Sequence, residues 1–218
     1  MSLPRQPVAV VFDMDGLLFD TETLYQEAGV LAARDMALEM TPELFRSMVG
    51  LPWLATGAML TKHFGPSFDV DAFAETWRGH FSVIVETRLA LKPGVLELLD
   101  KLDEHKLPRA IATSSSHKTA QHHLAFHNLA GRFHHVVASG DYAAGKPAPD
   151  PYLMAAERLG VAPGLCLALE DSYNGVRSAS AAGMMTIMVP DLLDPTDEIR
   201  SLCTLIARDL HAVRDLLP

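Results

Sequence analysis

Cysteine is scarce in this 218-residue chain: there are only Cys166 and Cys203. Each sits inside an apolar run, Leu165-Cys166-Leu167-Ala168-Leu169 and Leu202-Cys203-Thr204-Leu205, so both are expected as buried small hydrophobes. A disulfide framework is excluded, and a reducing, cytoplasmic compartment is expected. Runs of lysine or arginine are missing as well. With 18 basic against 27 acidic side chains, the net charge is −9. Such a chain repels nucleic acid and anionic membranes, and neither is expected as a partner. The apolar runs are strand-sized, well short of the ~20 residues of a membrane span, and no signal-peptide pattern is visible. There is no internal repeat and no low-complexity stretch. Nothing calls for a second copy, so a monomer is expected.

What is present is hydrophobic: 49% of the residues, enough to bury a substantial core. Val8-Ala9-Val10-Val11-Phe12 is apolar without alternation, the pattern of a strand buried on both faces of a parallel sheet. Similar runs recur at residues 109–113, 135–139, 165–169 and 185–189, with a weaker one at 204–207. Helical patterns lie between them. Val95, Leu98, Leu99 and Leu102 follow helical spacing, Pro149 opens a helix that Gly160 closes, and another runs from Tyr173 to Ala182 before Gly183. Strand–helix alternation predicts an α/β fold, a Rossmann-like doubly wound parallel sheet. Residues 21–89 break the alternation. Thr41-Pro42-Glu43 reads as a helix start, and Asp71 to Arg88 as a long helix. The expected organisation is therefore an α/β core of residues 1–20 and 90–218, with an inserted all-helical subdomain at 21–89.

Ligands of open parallel sheets bind at the carboxyl ends of the strands. Four such ends carry polar chemistry. Asp13-Met14-Asp15-Gly16 places two carboxylates two residues apart, where joint ionisation calls for a cation between them. A hard divalent cation with oxygen ligands answers that need. Thr113-Ser114-Ser115-Ser116 offers hydroxyls and backbone N–H groups to phosphate oxygens. Gly145-Lys146-Pro147 holds one ammonium in a stiff loop, a point charge suited to a phosphoryl group. Glu170-Asp171 is a second acidic pair able to complete a cation site with Asp13 and Asp15. Each segment also has a plainer reading as a helix cap or turn, with Ser116, Asp171 or Ser172 as the capping residue. Acid pair, hydroxyls, lysine and acid pair at successive strand ends exceed what caps and turns explain.

This order resembles the haloacid dehalogenase-like hydrolase superfamily. Its four motifs match Asp13-Met14-Asp15-Gly16, Thr113-Ser114, Lys146 and Glu170-Asp171, and the resemblance covers essentially the whole chain. The phrases Phe12-Asp13-Met14-Asp15-Gly16-Leu17-Leu18 and Ala168-Leu169-Glu170-Asp171-Ser172 are most similar to the branch holding β-phosphoglucomutase and the sugar-phosphate and pseudouridine-5′-phosphate phosphatases. The insertion is similar to that branch's small helical cap. The resemblance implies a Mg²⁺-dependent phosphatase acting on a small-molecule phosphate ester. Asp13 would be the nucleophile and Asp15 the acid/base. Met14, Thr113, Ser114 and Lys146 would hold the phosphate. Asp13, Asp15 through its backbone carbonyl, and Asp171 would hold Mg²⁺, with Glu170 as a further ligand or in support.

A mutase of the β-phosphoglucomutase type is the alternative. That branch's mutases carry a cap histidine where Tyr25 stands here, and a phosphate-gripping arginine where Trp53 stands. An aromatic ring cannot make the bidentate phosphate contact, so hydrolysis is preferred. Glu22, Tyr25 and Trp53 are the candidate substrate residues of the cap; Trp77, Arg78 and His80 are weaker ones, with packing or surface roles preferred. Two other readings fit the residues less well. A phospho-accepting receiver module also uses acids, a hydroxyl and a lysine, but has no helical insertion. His123 and His127 share a helix face, yet no carboxylate completes a metal motif there, so solvated surface histidines are expected.

Overall fold

The computed structural model describes residues 2–51 and 53–217. The chain forms two compact units: residues 1–20 with 91–218, and residues 21–90.

The first unit is built on six parallel strands. These are β1 (Ala9–Phe12), β2 (Arg109–Ser116), β3 (His135–Ser139), β4 (Cys166–Glu170), β5 (Met185–Met188) and β6 (Leu205–Ile206), in the order β3-β2-β1-β4-β5-β6. The continuous apolar runs are explained by burial: every residue of β1, β4 and β5 is buried. Side chains alternate between faces. Ala9, Val11, Ala110, Ala112, Cys166 and Ala168 turn to one face and pack there against Tyr152, Ala155 and Ala156, and against Ala179. Those partners belong to α7 (Asp150–Leu159) and α8 (Tyr173–Ala181). Small strand residues let these helices sit close. The chain steps outward from β1 through β2 to β3, then returns to β4 beside β1. With right-handed crossovers, that reversal puts α5 (Val95–Glu104) and α6 (His117–Phe126) on the other face. The reversal also makes the carboxyl ends of β1 and β4 the switch point, where ligands of such sheets bind.

Three details differ from the sequence expectations. Strand β2 runs past Thr113 to Ser116, with a register shift between Ala112 and Ser116. Cys203 is half-buried while Cys166 is buried; both are free thiols, and burial pushes each up to about 11. His123 is buried, not solvated; the ring of Phe19 meets it edge-on and stacks on His127.

The second unit is all helical: α1 (Thr21–Asp35), α2 (Pro42–Met48), α3 (Trp53–Phe64) and α4 (Val70–Arg88). Thr41 caps α2 through its hydroxyl and Asp69 caps α4 through its carboxylate. α1 packs on α4 around Trp77, which is 2% exposed. Tyr25 stacks on the Trp77 ring at 4.6 Å, and the indole N–H donates to the Tyr25 carbonyl at 2.7 Å. A Cβ at position 29 would meet that indole at 2.7 Å, which is why α1 carries a glycine there. Among the described residues, no helix is long and apolar enough to cross a membrane.

Candidate active site

Strand β1 ends in Phe12, and the chain turns sharply behind it. Gly16 has φ +82°, its N–H donates to the Phe19 carbonyl, and Leu18 N–H returns to Met14. This left-handed position suits glycine. The turn leaves Asp13 at the mouth of the sheet, 7% exposed, with its N–H bonded to Leu169 of β4. Met14 points the other way and its side chain is fully buried, so only its backbone can face a ligand.

Lys146 reaches this point from the loop before α7. Its ammonium bonds the Asp13 carboxylate and Glu170 Oε1, and lies 5.1 Å above the Tyr152 ring. Glu170 is entirely buried at the end of β4. Its Oε1 also accepts from the Tyr152 hydroxyl at 2.7 Å. Its Oε2 accepts from the N–H groups of Asp171 and Ser172 and from the Ser172 hydroxyl, all at 3.0–3.1 Å. Ser172 also caps α8, its oxygen accepting from Gly175 N–H at 3.1 Å. The capping reading of this segment therefore holds for Ser172.

Burial and the neighbouring carboxylates make this a charge-dense place. Burial pushes Asp13 up to about 8; Lys146 opposes that, while Glu170 and Asp15 add to it. Burial alone would lower Lys146, but the carboxylates of Asp13 and Glu170 outweigh it and hold the ammonium charged.

Asp15 sits apart from this cluster. Its Oδ2 accepts from the Ser115 hydroxyl at 2.7 Å, and His123 Nε2 lies 3.9 Å from its Oδ1. Thr113 is buried; its Oγ1 accepts from Ser115 N–H, and its carbonyl from the Tyr142 hydroxyl. Ser114 is exposed beside them. Ser116 caps α6 through its side chain, as the plainer reading held.

One oxygen each from Asp13, Glu170 and Asp171 lie within 4.8 Å of one another. The Asp171 carboxylate occupies the space that a Cβ on Gly16 would need, with its Cγ 2.9 Å from that point, so the glycine is what admits this carboxylate to the acidic cradle. Hard, close, anionic oxygens fit a magnesium ion. Glu170 has both oxygens engaged by protein donors. The Asp15 carboxylate is not in this group; only its backbone carbonyl remains as a donor to it. Sequence reasoning passed over Tyr152 and Gly175, and took Ser115 for a phosphate-binding hydroxyl where it bonds Asp15. Gly175 alone left a signal: a glycine within a helix needs a reason, and here a Cβ would overlap the Glu170 carboxylate.

In the helical unit, Glu22, Tyr25 and Trp53 line one cavity of about 260 Å³ with Phe45, Thr56 and Trp77. Trp53 is 38% exposed while Trp77 is core. Burial and the Glu22 carboxylate push the Tyr25 phenol above its ordinary value. His80 pairs instead with Asp35 at 2.7 Å, and Arg78 is exposed.

The fold is a Rossmann-like, doubly wound α/β core that presents acids and a lysine at its switch point. Residues 10–189 match the haloacid dehalogenase-like hydrolase family, and the chain belongs to it. It is 36% identical over 197 residues to the probable pseudouridine-5′-phosphatase of Drosophila melanogaster, covering 86% of this chain and 83% of that protein. It is 34% identical over 226 residues to hexitol phosphatase B of Escherichia coli, covering 96% and 99%. Among solved structures, a HAD hydrolase of family IA, variant 3, from Entamoeba histolytica superposes with a TM-score of 0.77 at 25% identity, over 95% of this chain and 98% of that one. The enzyme class is that of the phosphoric monoester hydrolases.

Proposed function

We propose that the chain is a Mg²⁺-dependent phosphatase that hydrolyses a small phosphorylated metabolite, a sugar phosphate, through an aspartyl phosphate on Asp13. The observation that carries this is the meeting of Asp13, Lys146 and Asp171 at the ends of β1 and β4, with Asp15 held nearby by Ser115. An Asp13 oxygen attacks phosphorus as the ester P–O bond breaks. Asp15, protonated, gives its proton to the departing alkoxide. Asp15 then takes a proton from water, whose oxygen attacks phosphorus and releases inorganic phosphate and Asp13. Lys146, with Thr113, Ser114 and the Met14 backbone, balances charge on the non-bridging phosphoryl oxygens. Asp13, the Asp15 carbonyl and Asp171 would hold the cation, which when bound offsets repulsion between carboxylate and phosphate dianion. Glu170 fixes Lys146 and the backbone of Asp171, and stands as a further ligand of the cation or in support of it.

Glu22, Tyr25 and Trp53, which line the cavity of the helical unit, are the proposed substrate residues there: Glu22 offers an acceptor for hydroxyls, and Tyr25 and Trp53 offer ring faces. These residues favour hydrolysis over phosphoryl return, because none of them binds a second phosphate.

The test is phosphate release from sugar phosphates, hexitol phosphates, nucleotides and pseudouridine 5′-phosphate, with and without Mg²⁺. Turnover of at least one ester is expected, stopped by EDTA, restored by Mg²⁺, and reduced at least 10³-fold, an order-of-magnitude figure, in Asp13→Asn. Substantial turnover by that variant overturns the nucleophile. Isomerisation of β-glucose 1-phosphate without net phosphate release restores the mutase.

A further inference from the structure

Outside the residues already assigned, the ion pair of Lys92 and Asp191 borders the Asp171 carboxylate. Lys92 lies just after the second unit's return to the core, where its N–H donates to the Leu18 carbonyl at 2.9 Å. Its ammonium bonds Asp191 Oδ1 at 2.7 Å. Asp191 follows β5 in a loop whose start is registered on the site, since Val189 N–H donates to the Glu170 carbonyl at 2.7 Å.

The Asp191 side chain is nine-tenths buried. Its second oxygen, Oδ2, has no hydrogen-bond partner among the described residues. That oxygen lies beside the Asp171 carboxylate: it is 3.4 Å from the point a Gly16 Cβ would occupy, a point that Asp171 Oδ2 overlaps. An ion pair as buried as this needs its remaining lone pairs satisfied. A phosphate dianion cannot satisfy them, because it presents only acceptors to a carboxylate. Water can, and Mg²⁺ brings its own: it sheds hydration reluctantly and is held by few carboxylates, with several waters left to be oriented by the protein.

We propose that Asp191, anchored by Lys92, is a positioning residue of the cation site, its Oδ2 accepting hydrogen bonds from the hydration water of Mg²⁺. The inference rests on the assignment of Asp13 and Asp171 to that cation. Lys92 fixes the rotamer of Asp191 and neutralises one of its oxygens, which leaves the other to act without adding a full negative charge beside Asp171.

The test is calorimetric titration of the full chain with MgCl₂ in the absence of any ester. Asp191→Asn is expected to weaken Mg²⁺ about 10- to 100-fold, the usual scale for a group that orients a metal's ligands. Lys92→Gln, which leaves Asp191 in place without its anchor, is expected to weaken it less but in the same direction. Asp171→Asn serves as the reference for loss of a direct ligand. A purely structural pair would lower the unfolding midpoint in EDTA and leave Mg²⁺ affinity alone. Wild-type affinity in Asp191→Asn therefore overturns the inference while sparing the metal assignment. No Mg²⁺ uptake by the wild type overturns both. Should Asp191→Asn fail to fold by circular dichroism, Lys92→Gln decides, and unchanged affinity there counts against the proposal.

Discussion

Gly175 stands at the third position of α8, where alanine would favour the helix by about 1 kcal/mol. The Glu170 carboxylate occupies the volume that a Cβ would need. Gly175→Ala therefore gains propensity and loses packing, and the loss wins. Overpacking of this kind costs about 1–3 kcal/mol, and Glu170 cannot yield without releasing Lys146, Tyr152 and the Asp171 backbone together. The expected result is a lower midpoint in urea and a fall in turnover well beyond what the stability loss explains. A variant as stable and active as wild type would show that Glu170 moves freely. At this scale Asp13, Asp15, Glu170 and Asp171 were legible because they stand where apolar runs end, and Lys146 because Gly145 and Pro147 bracket it in a stiff loop. Tyr152, Lys92 and Asp191 were not. Nothing local marks a tyrosine in a helical first turn, or a Lys and an Asp 99 residues apart, as partners.

Elements were more legible than contacts. The six strands were readable because burial on both faces removes polar residues and so leaves unbroken runs. Strand β2 was underestimated because polar Ser114 to Ser116 extend it beyond the buried layer. His123 was misread since a histidine on a helix gives no sign of which face meets the core; the Phe19 ring supplies that face. Asp141 shows how an element junction depends on one carboxylate. It follows β3 and its Oδ2 accepts from His117 on α6, from Arg158 on α7 and from the Ala138 N–H, each at 3.0 Å. These bonds, the one from His117 foremost, hold its carboxyl well below the usual carboxylate range. A group depressed on folding stabilises above its unfolded value and stops doing so as pH falls through its folded value. Stability contributed by Asp141 is thus full at neutral pH and declines as the pH drops below about 4. Asp141→Ala should cost about 1–3 kcal/mol at pH 7. Urea midpoints of wild type and variant should converge as the medium is acidified; a gap that widens in acid would reverse the assigned sign.

For the whole molecule, the net charge of −9 means that almost any cation is attracted, and stabilisation by Mg²⁺ could arise from screening alone. A specific site behaves differently. A ligand at 100 times its dissociation constant adds about 2.7 kcal/mol to the folded state. For a chain of this size that raises the midpoint of the transition involving the α/β unit by roughly 5–10 °C. The gathering of Asp13, Glu170 and Asp171 oxygens within 4.8 Å is a cost in the metal-free fold, so relief of that cost adds to the response. Asp171→Asn separates the two origins. The variant keeps nearly all of the molecule's negative charge, so screening would stabilise it almost as much as the wild type. It lacks a carboxylate at the cradle, so site binding would be largely lost. The expected outcome in a thermal scan is a clear Mg²⁺-dependent rise for the wild type over NaCl of equal ionic strength, and little rise beyond that NaCl control for Asp171→Asn. Equal rises in the two proteins would mean that the acids at the switch point are crowded for some reason other than a divalent cation.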